Sequence, residues 1–100
     1  MKSLRAILVD PSDNVVTLVQ PGRTGDWAVW DGGRVRLNED IPTGHKVAIY
    51  DIPRESTVMK YGASIGKAAD NIRQGEWVHV HNVQSERGKG YSDDKGISSA

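Results

Sequence analysis

Short apolar runs separated by turn-forming residues dominate the first half of the chain. Runs at 4–9 and 15–19 are rich in β-branched and aliphatic residues, and the segment 10–14 between them carries Pro, Asp and Asn, which favour tight turns. We predict a hairpin from these two runs and a second hairpin from runs at 27–30 and 34–37. No stretch keeps a helical stripe, so the pattern is typical of a small all-β domain.

A weak internal repeat occupies the middle of the chain. Asp-Ile-Pro occurs at 40–42 and again at 51–53, Asn-Ile-Arg occurs at 71–73, and each triplet precedes a turn and a strand-like run. We interpret the repeat as recurrent turn chemistry in which Asp40, Asp51 and Asn71 cap turns by accepting backbone N–H bonds. The alternative is that the two carboxylates act as bases or metal ligands.

The last third of the chain is less regular. In segment 61–70 the alanines favour a helix and two glycines oppose it, so we predict an irregular strand with one helical turn at most. From residue 84 onward the sequence has too few apolar residues to order itself. The predicted organisation is therefore one domain at 1–83 and a flexible tail at 84–100, mobile unless a partner holds it.

Composition narrows the classes of partner. Thirteen basic residues balance thirteen acidic ones, which removes the electrostatic reason to expect a nucleic acid or an anionic membrane. No apolar run approaches the length of a membrane span. The chain has no cysteine, which excludes disulfides and thiolate zinc sites and fits a reducing cytoplasm. We expect a cytoplasmic protein that binds neither nucleic acid nor membrane.

The segment 77–82, Trp-Val-His-Val-His-Asn, is the most informative chemically. If it is a strand, Val78 and Val80 face the core and Trp77, His79 and His81 share the opposite face. Two imidazoles at this spacing can chelate a divalent metal or transfer protons. Because no third ligand is in view, a pair of solvated surface histidines stays open as the alternative.

Two further positions offer polar groups beside predicted turns. His45 follows the turn at 42–44 and precedes Lys46, a place where an imidazole is well positioned for proton transfer or is merely an exposed polar group. Lys60 and Tyr61 put an ammonium group beside a phenol, which suits a carboxylate without specifying one. All three histidines follow repeat-type turns, so we expect them to converge at one end of the domain.

The order of these motifs resembles the amino-terminal SAF domain of altronate dehydratases and, less closely at its His-Val-His-Asn ending, that of galactarate dehydratase. The matching segments run in order from about residue 13 to residue 83: Ile-Pro-Thr-Gly-His-Lys-Val-Ala at 41–48, Asp-Ile-Pro at 51–53, Val-Met-Lys-Tyr-Gly at 58–62, Ile-Gly-Lys-Ala at 65–68, Asp-Asn-Ile at 70–72, and Gly-Glu-Trp-Val-His-Val-His-Asn at 75–82.

The resemblance implies a β-clip fold and a larger catalytic partner. In this family the module accompanies a much larger catalytic domain, fused or on a second chain, that removes water from sugar acids with a divalent metal, typically Fe²⁺. It implies a small subunit whose polar positions face the active-site cleft. The implied roles are catalytic for His45, His79 and His81, metal-binding for His79 and His81, and substrate-binding for Lys46, Lys60, Tyr61 and Asn82.

Two departures from the family pattern and three alternatives accompany this hypothesis. Glu55 stands where the family usually has glycine, and Lys67 replaces a bulkier residue, so the second turn and the substrate preference are expected to differ. The alternatives are a galactarate dehydratase subunit, a sulfolactate sulfo-lyase subunit, and a non-catalytic module that binds carbohydrate or protein. A homo-oligomer is also left open.

Overall fold

The computed structural model describes residues 1–85, which contain strands, bridges and turns and no helix. The prediction of an all-β domain is confirmed. Residues 86–100 of the predicted tail lie outside the described residues, whereas Gln84 belongs to the last strand. The strands are β1 Ser3–Ile7, β2 Val15–Leu18, β3 Trp27–Trp30, β4 Gly33–Arg36, β5 Lys46–Ala48, β6 Thr57–Lys60, β7 Ala63–Ala68, β8 Trp77–Val78 and β9 Val83–Gln84.

A six-stranded sheet with the order β4-β3-β1-β2-β5-β8 forms the larger part of the domain. Both predicted hairpins are confirmed, because β1 pairs antiparallel with β2 and β3 pairs antiparallel with β4. The parallel pairing of β1 with β3, in which Ser3 lies opposite Trp27, was not predicted. A parallel pair needs a long crossover connection and leaves no local turn signal in the sequence.

The remaining strands form a three-stranded sheet, β6-β7-β9. The predicted irregular strand at 61–70 is confirmed as β7, and its pairing with β6 shifts register between Val58 and Met59. No helical turn forms in that segment. The hairpin turn between β6 and β7 has positive φ at both Tyr61 and Gly62, the conformation that joins two strands with matching twist.

Four copies of one turn organise the described residues, one more than the sequence repeat indicates. The copies associate in pairs, since Gly22 bridges Ile41 and Ile52 bridges Ile72. In each copy a backbone N–H bonds the carbonyl three residues earlier, as from Asp26 to Arg23 at 2.9 Å. The turn caps are confirmed: the Oδ1 atoms of Asp40, Asp51 and Asn71 accept backbone N–H bonds from Thr24, Gln74 and Arg54.

Glu55 occupies the turn position at which the other copies have Gly25, Gly44 and Gly75, all with positive φ. Its own φ is 74°, so the third copy keeps the shape of the glycine-containing turns. The expectation that this departure changes the turn is therefore wrong. The left-handed conformation costs a residue with a Cβ about 1–2 kcal/mol, and this strain lies in an exposed loop.

The core consists of two aliphatic clusters that share β2 and β5. Val16 and Val47 belong to the first cluster, while their chain neighbours Val15 and Ala48 belong to the second. Because side chains alternate along a strand, these two strands are buried on both faces. Trp30 and Trp77 pack on the border of the first cluster. The part of the chain that the structure describes contains no helix that could span a membrane.

Candidate functional site

A tight turn follows β8 and replaces the strand that the sequence predicts through residue 81. Asn82 closes the turn: its Oδ1 accepts the His79 backbone N–H at 2.9 Å, and its Nδ2 donates to the Trp77 carbonyl at 2.8 Å. Val80 is 80% exposed, so the prediction that it faces the core is wrong, whereas Val78 is fully buried as predicted. The strand alternation ends at Val78, because the chain turns there.

The turn nevertheless brings all three histidines together, as the sequence predicts for the turn-bearing end of the domain. The ring centroids of His45 and His79 lie 4.8 Å apart, and those of His79 and His81 lie 6.4 Å apart. His45 arrives from the second turn copy, immediately before β5, and β5 pairs with β8. Convergence therefore depends on one short strand pair.

Trp77 contacts each of the three imidazoles, a role that the sequence analysis did not assign to it. Its indole ring stacks on His79 with centroids 5.5 Å apart and meets His45 and His81 edge-on. Its Nε1–H donates to Nδ1 of His45 at 3.2 Å. Since that lone pair is occupied, neutral His45 carries its proton on Nε2 and presents a hydrogen-bond donor to a ligand.

Lys46 extends the cluster and lines a pocket of about 210 Å³ together with His79 and the apolar side chains of Ile65 and Val83. Burial lowers the pKa of the Lys46 ammonium, and the nearby charge of Lys60 lowers it further. An anionic ligand at this place would offset that repulsion and stabilise the charged form of lysine. The electrostatics of the pocket therefore favour an anion.

His79 experiences the same cationic surroundings. Its pKa lies below the ordinary value for histidine, mainly through desolvation and then through the charges of His45, Lys46 and His81. A lowered pKa keeps the imidazole neutral near neutral pH. In that form His79 can accept a proton or a hydrogen bond at one ring nitrogen and donate from the other.

Lys60 and Tyr61 lie at the hairpin turn of the smaller sheet. The Lys60 Nζ is 4.5 Å from the centre of the Tyr61 ring, and Tyr61 is 58% exposed. Asp13 holds this turn, because its two carboxylate oxygens accept the backbone N–H groups of Tyr61 and Gly62 at 2.9 and 2.8 Å. The sequence marks Asp13 as a turn residue but gives no sign of this distant bond.

The three clustered histidines do not form a metal site by themselves. No group of three or more His, Cys, Asp or Glu side chains within residues 1–85 is arranged to hold a metal ion. The His45 Nδ1 is occupied by the Trp77 indole, which removes one of its two nitrogens as a ligand. Two imidazoles fall short of the three protein ligands typical of catalytic metal sites such as those of zinc.

We expect the His79 imidazole to titrate below about 6.5, the usual value for histidine. Substituting Lys46→Gln should raise its midpoint, because one nearby positive charge is removed. Since the unfolded chain takes up the proton first, stability should fall as pH drops through the usual value and down to the folded pKa. The midpoints are measured in the full chain from the NMR chemical shifts of the histidine rings, followed from about pH 4 to about pH 9. Lys67→Gln is the matched control, and a midpoint at or above the usual value would contradict the expectation.

Comparison with known proteins places most of the chain in one family. The model of the altronate/galactarate dehydratase SAF domain matches residues 4–86. The (2R)-sulfolactate sulfo-lyase subunit alpha of Chromohalobacter salexigens is 43% identical over 76 residues, which is 73% of this chain and 81% of that protein.

Two much longer dehydratases are similar as well. The altronate dehydratase of Bacillus subtilis is 34% identical over 85% of this chain and 17% of its own length. The galactarate dehydratase (L-threo-forming) of Escherichia coli is 38% identical over 72% of this chain and 14% of its own length. The chain thus spans less than a fifth of each dehydratase.

Proposed function

The chain belongs to the altronate/galactarate dehydratase SAF-domain family, and from this premise we propose that it is the small subunit of a two-chain lyase. In this proposal it contributes a histidine and lysine cluster to an active site that a larger chain completes. The leading candidate is an altronate dehydratase-type hydro-lyase that removes water from a sugar acid. The observation that carries the proposal is the convergence of His45, His79 and His81 beside the half-buried Lys46.

The chemistry of such an elimination matches these groups. A base takes the proton from the α-carbon, which carries the carboxylate. The C–O bond of the hydroxyl on the β-carbon then breaks, and this hydroxyl accepts a proton and leaves as water. The resulting enol converts to a 2-keto acid. We assign Lys46 to the substrate carboxylate and the Nε2–H of His45 to a substrate oxygen. Neutral His79, with His81, is placed as a proton-transfer group.

The remaining polar residues predicted from the sequence either hold the reacting groups in position or contact the substrate. Both amide atoms of Asn82 are engaged within the turn, so its contribution is to hold His79 in place. Lys60 and Tyr61 are assigned to the distal end of the substrate. The principal base that removes the α-proton is assigned to the larger chain, since the imidazoles and Lys46 are already assigned to substrate binding and proton transfer.

A divalent metal, Fe²⁺ in our proposal, belongs to the larger chain rather than to this one. Within residues 1–85 the histidines are not part of any group of three or more ligands arranged to hold a metal ion. When bound, the metal would polarise the departing hydroxyl as a Lewis acid. We place the assembled enzyme in the cytoplasm, in agreement with a chain that has no cysteine.

A sulfolactate sulfo-lyase subunit is the second candidate. It is supported by the 81% coverage of the sulfo-lyase subunit alpha, a relative of similar length, which the dehydratases do not share. The same cationic pocket suits a substrate that carries a sulfonate besides its carboxylate. In this case the α-proton is removed, the C–S bond breaks and sulfite leaves with its electron pair, while Lys46 and Lys60 provide one cation for each acid group.

Reconstitution tests the proposal and separates the candidates. The full chain is co-expressed with the larger family chain encoded in the same genome, and the purified complex is assayed with altronate, galactarate and (2R)-sulfolactate. We expect turnover of one of these substrates by the complex and none by either chain alone. Turnover by the isolated small chain, or tight binding of a carbohydrate by it without a partner, would contradict the subunit proposal.

A further inference from the structure

One face of the six-stranded sheet is left uncovered over β4, β3 and β1. Strand register sets the side chains of this face in rows: Arg34, Val29 and Arg5 stand side by side, and Arg36 and Trp27 form the row beside them. The same face continues through Ile7 and Thr17 to Lys46. We call these residues the basic sheet face: Arg5, Ile7, Thr17, Val19, Trp27, Val29, Arg34, Arg36 and Lys46.

The basic sheet face combines exposed aliphatic side chains with cations. Ile7 is 48% exposed and Val29 38%, although both lie on paired strands, and Val19, which directly follows β2, is 44% exposed. Their neighbours on this face are arginines, while the chain as a whole has no net charge. Asp31 lies in the turn beyond β3, at the border of the face. An apolar centre with a charged border is the usual anatomy of a protein interface.

The arginines of the basic sheet face lack acidic partners within residues 1–85. The one ion pair found there joins Arg54 to Glu55, far along the chain. The Arg34 guanidinium instead stacks over the Trp27 ring, with its Cζ 4.3 Å from the ring centre. Stacking fixes the guanidinium plane and leaves its N–H edge free for a bidentate carboxylate bond. Trp and Arg are also the residues that most often dominate binding energy at interfaces.

We propose that the basic sheet face is the docking surface for the larger catalytic chain, which meets it with an acidic and apolar face. This inference rests on the proposed function. Two observations select this partner. A second copy of the chain would set arginine against arginine, and like charges that face each other across an interface oppose association. The face also ends at Lys46, which lines the candidate pocket, so a chain docked there reaches the pocket directly.

Affinity measurements with the purified larger family chain from the same genome test the inference. Arg34→Glu should weaken binding of the full small chain at least about tenfold, because it replaces a hot-spot cation with the charge of the partner. Val29→Ser tests the apolar part of the face in the same direction. Arg73→Glu makes the same charge change at an exposed turn outside the face, and we expect its affinity within about twofold of wild type.

Each outcome of this experiment has a defined meaning. If wild type binds and both face variants bind equally well, the docking surface lies elsewhere, although the subunit proposal stands. If wild type does not bind the larger chain, the proposed function fails and this inference fails with it. The inference is also overturned if the isolated chain forms a dimer or binds nucleic acid and Arg34→Glu abolishes that association.

Discussion

Replacing His79 and His81 together with glutamine is expected to lower the turnover of the assembled lyase by about 100-fold or more, the usual contribution of a general acid or base. Glutamine cannot exchange a proton near neutral pH, whereas it keeps a polar side chain of similar reach. The loss should appear in kcat more than in KM, because Lys46 still binds the substrate carboxylate. Steady-state kinetics of the reconstituted complex measure both parameters.

The structure makes this substitution a clean probe of chemistry. The turn is held by the backbone N–H of His79 and by the Asn82 side chain, so neither imidazole is needed to form it. Tyr50→Gln is the matched control, since Tyr50 is 61% exposed outside the cluster. Full turnover in the histidine double variant, with the complex intact, would remove His79 and His81 from the mechanism.

Local turn chemistry explains why much of the fold is predictable from sequence. The hairpins at 4–19 and 27–37 follow from Pro, Asp and Gly between apolar runs, and their turns close through bonds that span three residues, as from Asp13 to the Asp10 carbonyl. The first turn copy escapes the repeat, because Gly22 stands where the later copies have isoleucine. A Cβ on Gly22 would lie 2.4 Å from Leu37 Cδ1, so the core has filled the place of that side chain.

Non-local pairing explains what the sequence does not reveal. The parallel contact of β1 with β3 and the placement of β5 between β2 and β8 have no signature in adjacent residues. The same limit applies to the site. The histidine spacing suggests chemistry at 79 and 81, yet the bond from Trp77 to His45 exists because Val47 pairs with Trp77 across β5 and β8. The sequence pattern also predicts that the strand continues past Val78, and for this reason it places the exposed Val80 in the core.

The two halves of the chain cooperate in building the site. The second turn copy brings His45 and Lys46, and the fourth brings Trp77 and His79, on strands that pair with each other. The β6–β7 hairpin follows the third copy, and its Ile65 reaches the pocket from the smaller sheet. Its position relative to the larger sheet depends on the segment before β2, where Asp13 and Asn14 bond the β6–β7 hairpin. Stability and site geometry are therefore coupled at Asp13.

Substituting Asp13→Ala is expected to lower the free energy of unfolding by about 3 kcal/mol, since it removes the acceptor of three backbone N–H bonds, each worth roughly 0.5–1.5 kcal/mol. Asp13 is 3% exposed, and its carboxylate accepts N–H bonds from Asp10, Tyr61 and Gly62. No other side chain bonds these last two groups in the described structure. Native stability of a small domain is about 5–15 kcal/mol, so this loss is large.

Denaturant unfolding of the full chain measures the change, and amide hydrogen exchange locates it. Protection at Tyr61 and Gly62 should fall more than protection in β1 or β2, because the lost bonds hold the hairpin turn. Asp31→Ala is the matched control, because Asp31 is also a turn aspartate, between β3 and β4, but is exposed. Its removal should lower the free energy of unfolding by at most about 0.5 kcal/mol. Equal effects of the two substitutions would mean that the buried carboxylate does not tie the two sheets together. A larger loss at Asp13 with unchanged exchange at Tyr61 and Gly62 would place its stabilising effect in the 10–14 turn instead.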